Sequence, residues 1–75
     1  MRKLNKHIGK YLERARKKLD MPLDVVIESL EDLGIKYDKG NLSRIEREQI
    51  SCRADLLAGL CNIYEIDPIE ILYKK

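Results

Sequence analysis

Apolar residues recur along this chain at steps of three and four, the spacing that lines one face of an α-helix. Ile8, Leu12, Ala15 and Leu19 predict a first helix over about 5–19, and Asp20-Met21-Pro22 breaks it. Leu23, Val26, Ile27, Leu30 and Leu33 predict a second. The β-branched run Val25-Val26-Ile27 also suits a strand, but the period continuing through Leu33 and the stop at Gly34 favour a helix. Asp24 adds a favourable charge near its N-terminus. Ile35-Lys36-Tyr37 reads as a linker. Asp38 reads as the N-cap of a third helix over about 39–48, with Leu42 and Ile45 turned inward. After the connector Gln49-Ile50, Ser51 is an expected cap for a fourth helix carrying Leu56, Leu57, Leu60, Cys61 and Tyr64. Asp67-Pro68-Ile69-Glu70 combines an Asp cap, a proline at the first helical position and a Glu at the third. The fifth helix is expected to run to the chain end, with Lys74 and Lys75 on the favourable end of its dipole.

Helices this short, joined by connections this short, predict an all-α fold: a compact orthogonal bundle. No repeat, linker or low-complexity segment divides the chain, so residues 1–75 read as one domain with its core over about 6–72. The chain has 75 residues, 44% apolar and 37% charged, which is not a disordered composition. A domain of this size has a stability on the order of 4–11 kcal/mol, so a partner subunit would help it. No apolar run approaches the roughly 18–20 residues of a membrane span, and the charged N-terminus does not read as a signal peptide. Cys52 and Cys61 lie nine residues apart in what the pattern makes one helix, about 13–14 Å, too far for a disulfide. They read as a surface thiol and a core thiol in a reducing cytoplasm. One His and two Cys at that spacing do not converge on a metal ion, and no cofactor is expected.

Net charge is only +2, but it is unevenly distributed. Residues 1–19 carry +7 and residues 20–34 carry −5. A basic stripe suits a phosphate backbone, and a solvated helix face has the same composition. Catalysis finds no support. His7 stands alone near the N-terminus, the serines lack a neighbouring base, and Gly9, Gly34, Gly40 and Gly59 are too scattered for a phosphate loop.

The signals over the second and third helices read helix, short turn, helix. The outward face of the third carries Lys39, Asn41, Ser43, Arg44 and Arg47. Arg can bond a guanine edge at two points and Asn an adenine edge, while Ser and Lys reach phosphates. Such a face also occurs as plain polar helix surface.

The stretch Asn41-Leu42-Ser43-Arg44-Ile45-Glu46-Arg47 resembles the recognition helix of the Cro/C1-type helix-turn-helix family. Ala15-Arg16-Lys17-Lys18 looks like that family's first helix, Met21 to Leu30 with Leu33-Gly34-Ile35 like its second helix and turn. Asp55 to Cys61 is similar to its fourth helix and Ile66 to Leu72 to its closing one, so the likeness spans roughly 6–72. The resemblance implies a lambda-repressor-like five-helix domain, a transcriptional regulator read as a repressor. It would bind an inverted repeat in double-stranded DNA as a homodimer, helix 3 in the major groove. It further implies a bacterial or phage-encoded, cytoplasmic protein: a phage Cro-like repressor, a restriction–modification controller or a plasmid regulator.

Base reading would fall to Arg44, with Asn41 and Lys39, and backbone contacts to Ser43, Arg47, Lys6, Lys10, Lys17 and Arg53, with Arg14 a further basic candidate. Gly40 offers no side chain where the family often has a contact. Arg16 and Glu46 fall where the family pairs an Arg with a Glu, implying an ion pair between helices 1 and 3. Dimerisation is expected through Ile66, Ile69, Ile71, Leu72 and Tyr73, more apolar groups than one buried stripe needs. The chain departs from the family in three places. The turn before helix 3 is about two residues longer, absorbed either by a longer helix 2 or by Lys36-Tyr37. Pro22-Leu23 replace a usual Ser/Thr-Gln, moving the helix 2 cap toward Asp20. Glu48 replaces a frequent Gly, placing acid near the DNA-facing side together with Glu46. The alternative function is a protein-interaction module, such as an antitoxin or regulator-binding domain, using the acidic helix 2 or the apolar last helix.

Overall fold

The computed structural model describes residues 3–4 and 6–74, with side chains from 6 to 73. Five helices follow in order: α1 Ile8–Lys18, α2 Leu23–Asp32, α3 Lys39–Glu46, α4 Ala54–Tyr64 and α5 Pro68–Leu72. A two-residue antiparallel ribbon joins the ends, β1 Lys3–Leu4 against β2 Tyr73–Lys74. The fold is otherwise all-helical. Among the described residues, no helix is long and apolar enough to cross a membrane.

The core is aliphatic because the sequence offers no Phe or Trp. Leu12 from α1, Val26 and Leu30 from α2, Leu42 and Ile45 from α3, Leu56 and Leu60 from α4, and Ile71 from α5 are all essentially inaccessible. Each helix contributes one or two turns of its 3.6-residue stripe, so the five stripes converge on one cluster.

Four helices end in the same way. Met21 N–H donates to Arg16 C=O and Asp20 N–H to Lys17 C=O; the paired bonds recur at Ile35 and Gly34, Gln49 and Glu48, and Ile66 and Glu65. This is the Schellman closure, which needs one residue in the left-handed region. Only Gly34 (φ 81°) is a glycine; Asp20 (54°), Glu48 (62°) and Glu65 (56°) occupy the other three. Asp20 therefore closes α1 and does not cap α2, whose N-cap is Pro22.

Other boundaries differ from expectation. Helix α1 begins at Ile8 because Lys3–Leu4 are engaged in the ribbon. Ser51 does not cap α4: residues 51–53 stay non-helical, with Cys52 packed against the core and Arg53 over the Tyr37 ring. Cys52 is thus half-buried outside the helix, and is not the surface thiol expected. The fifth helix stops at Leu72 because the Tyr73 and Lys74 backbone pairs with β1, so Lys74 is not at a helix end; Lys75 lies outside the described residues. Asp38 and Asp67 are caps as the sequence indicates, accepting from Asn41 N–H at 2.9 Å and Ile69 N–H at 3.0 Å.

Candidate nucleic-acid interface

Helix α3 is held from three sides, and that support decides what its outer face can present. Leu42, Ile45 and Glu46 form its buried side. Glu46 is the one buried charge among the described residues, and Arg16 neutralises it. Arg16 Nε donates to Glu46 Oε2 at 2.8 Å and Nη2 to Oε1 at 3.0 Å, a two-point fork. Nη1 also donates to the Met21 carbonyl at 2.9 Å, so one guanidinium ties α1 and α3 to the turn before α2. The hydrogen bond to Glu46 raises the Arg16 pKa above its ordinary value, against the opposing effect of burial. The side chains are 13% and 3% exposed. Removing Arg16 strands the Glu46 carboxylate in the interior and costs about 3–5 kcal/mol.

The second support is a close approach. Gly9 on α1 lies against the α3 backbone, where a Cβ would overlap the Ile45 carbonyl oxygen and sit 2.8 Å from Glu48 Cγ. The third is Glu48. Its backbone closes α3, and its carboxylate turns back to α1, accepting from Lys10 N–H at 3.2 Å and from His7 Nδ1 at 3.3 Å. His7, at the N-cap position, provides no side-chain cap, so Glu48 supplies it from the far end of α3. Burial pushes the Glu48 carboxyl up, but the bonds from His7 and Lys10 outweigh it and hold the group below its ordinary value. The acid expected near the outer face is therefore committed elsewhere: Glu46 to Arg16 and Glu48 to α1.

The connector from α2 absorbs its extra length as chain, since α2 ends at Asp32. Ile35 lies over Gly59 of α4, where an added Cβ would come within 2.6 Å of Ile35 Cδ1. Half-buried Tyr37 lies under Arg53, whose guanidinium carbon is 5.6 Å from the ring centroid. These contacts place the start of α3.

The outer face then follows. Lys39 is exposed, its ammonium 3.2 Å from Asp24 Oδ1 on α2. Arg44 is exposed one turn on, and its Nη1 donates to Asn41 Oδ1 at 2.9 Å. Ser43 is half-buried and Arg47 exposed at the end of the helix. Lys39, Asn41 and Arg44 thus share one short helix. Lys6, Lys10 and Lys17 are all exposed; Lys10 and Lys17, seven residues apart, share the flank of α1 next to Gly9 and Arg16, while Lys6 precedes the helix. Lys17 is 3.7 Å from Glu13. Arg53 is engaged with Asp55 at 3.2 Å as well as with Tyr37.

The five residues expected at a dimer surface do not form one patch. Ile71 is wholly inside the core and is excluded from such a surface. Ile69 is 47% exposed, while Ile66, Leu72 and Tyr73 are half-buried. The period of α5 allows only this division, because Ile69 and Ile71 are two residues apart and cannot share a helix face.

Sequence reasoning missed Gly9, the capping role of Glu48 and the Asp24 partner of Lys39. Only Gly9 carried a signal, a glycine inside an otherwise good helix. Among the described residues, no group of His, Cys, Asp and Glu is placed to hold a metal ion. Comparison with protein-family models, curated proteins and solved structures finds no match for this chain.

Proposed function

We propose that this chain is a sequence-specific regulator of transcription that binds double-stranded DNA as a member of the Cro/C1-type helix-turn-helix class. In this reading α2 and α3 form the helix-turn-helix and α3 lies in the major groove. The protein acts as a cytoplasmic repressor, as a homodimer on an inverted repeat, with exposed Ile69 and its half-buried neighbours Ile66, Leu72 and Tyr73 at the twofold contact.

One observation carries the reading. The outer face of α3 carries exposed Lys39 and Arg44 with half-buried Asn41 between them, while its inner face is anchored to α1 through Arg16 and Glu46. A protruding helix with long donor side chains and a rigid base is what major-groove reading requires. The exposed Lys6, Lys10 and Lys17 supply charge for the flanking phosphates.

The test is selection from random-sequence duplexes across a range of salt. An enriched inverted repeat, with affinity falling steeply as salt rises, supports the proposal. Arg44→Ala should then cost about 1–3 kcal/mol and relax one position of each half-site. Equal loss on every sequence removes Arg44 from base reading. No enrichment, together with salt-insensitive capture of a protein, replaces the proposal with an interaction module.

A further inference from the structure

The tip of α3 offers few outward side chains. Gly40 has none, Leu42 is buried, and Lys39 stands beside the Asp24 carboxylate. Exposed Arg44 remains there with half-buried Asn41, joined by the 2.9 Å bond from Arg44 Nη1 to Asn41 Oδ1. The Asn41 backbone is itself held, since its N–H donates to Asp38 Oδ2 at 2.9 Å. The two side chains therefore act as one unit, and its chemistry differs from that of its parts.

A free asparagine reads adenine because it offers an acceptor to N6–H and a donor to N7. In this pair the Oδ1 acceptor is occupied by the guanidinium. Its second lone pair lies beside a full positive charge, which repels an approaching N6–H donor. The groups the unit still has to offer are then donors: the remaining Arg44 N–H groups and the Asn41 amide N–H groups. In the major groove, guanine presents two adjacent acceptors, N7 and O6, and adenine presents an acceptor beside a donor.

We infer that the bonded Asn41–Arg44 pair selects guanine, with Arg44 reading the base and Asn41 serving as a positioning residue that sets the guanidinium plane. This inference rests on the proposed DNA function. It excludes an adenine specified by Asn41.

Random-duplex selection with the wild type, Arg44→Ala, Asn41→Ala and Asn41→Asp tests it, with circular dichroism melts to confirm that each variant folds. The wild type should enrich half-sites with one invariant guanine, and Arg44→Ala should lose that preference. Asn41→Ala should reduce discrimination at the same guanine by about 5- to 100-fold, leaving the other positions unchanged. Asn41→Asp keeps the acceptor and should restore the guanine preference, at lower overall affinity. An invariant adenine in the wild type that is lost in both Asn41 variants overturns the pairing but leaves DNA binding standing. Unchanged guanine discrimination in Asn41→Ala does the same. If the wild type enriches nothing, the DNA function fails and the inference with it.

Discussion

Gly9→Ala is the sharpest structural test, because two opposing effects of known size meet at one atom. Gly9 lies in the first turn of α1 and is buried. At an exposed helical position the change would stabilise by about 0.8–1 kcal/mol through helix propensity. Here the new methyl carbon would occupy the space of the Ile45 carbonyl oxygen. Carbon and carbonyl oxygen meet at about 3.3–3.6 Å, so α1 must withdraw from α3 by about 1.2–1.5 Å. Neither side can yield locally, since the obstacle is backbone. Overpacking of this kind costs about 1–3 kcal/mol. The withdrawal also stretches the Arg16–Glu46 fork, whose bonds are 2.8 and 3.0 Å, and the Glu48 contact to Lys10 N–H. A net loss of about 2 kcal/mol follows, or about 8–16 °C in Tm for a domain of this size. That is a large share of a stability on the order of 4–11 kcal/mol. Urea and thermal unfolding followed by circular dichroism measure it. Gly40→Ala is the control, since its Cβ would meet only the end of the Asp38 side chain, at 3.0 Å. If Gly9→Ala melts at or above the wild type, the close approach of α1 and α3 is wrong, and so is the geometry that supports the outer face of α3.

Three further outcomes follow from the backbone and from burial. Glu65 closes α4 in the left-handed region at φ 56°, so Glu65→Gly should stabilise by about 1 kcal/mol, raising Tm by about 4–8 °C; a lower Tm would refute this. Glu48→Gly relieves the same backbone strain but takes from α1 the carboxylate that caps Lys10, so it should gain less than Glu65→Gly in the same melt. Alkaline pH should unfold the domain early. Burial, helped by the nearby Cys61 thiol and Asp55, pushes the Cys52 thiol from an ordinary 9.0 up to about 11, and burial with Glu46 nearby raises Tyr64 as well. The folded protein keeps these protons where the unfolded chain releases them, so the Cys52 contribution is complete below about pH 9 and disappears as pH rises through about 11, and the Tyr64 contribution is lost at still higher pH. Tm should fall over that range, and less steeply in Cys52→Ala; a flat or rising profile would show that neither group is desolvated.

Much of the fold was legible in the residue pattern because helices announce themselves locally. The apolar period of Leu12, Val26, Leu30, Leu42, Ile45 and Leu60 marks the buried stripe of each helix, and these residues form the core. Asp38 and Asp67 act as N-caps because a carboxylate next to exposed N–H groups needs no distant partner. The Arg16 and Glu46 positions were marked by a resemblance, and the structure joins them.

What only the tertiary structure decided is whatever depends on two segments at once. The ends of α1, α3 and α4 rest on Asp20, Glu48 and Glu65, residues that carry no glycine's warning of a left-handed turn. Their strain is tolerated because paired closing hydrogen bonds hold the backbone there. The cap of α1 comes from Glu48, 38 residues away from Lys10, a distance no local pattern spans. The last helix stops at Leu72 because β1 offers its backbone a partner, although the sequence alone allowed the helix to continue. The Asn41–Arg44 bond likewise joins two side chains that the sequence reads separately, since a side chain's hydrogen-bonding character depends on which of its groups a neighbour has already taken.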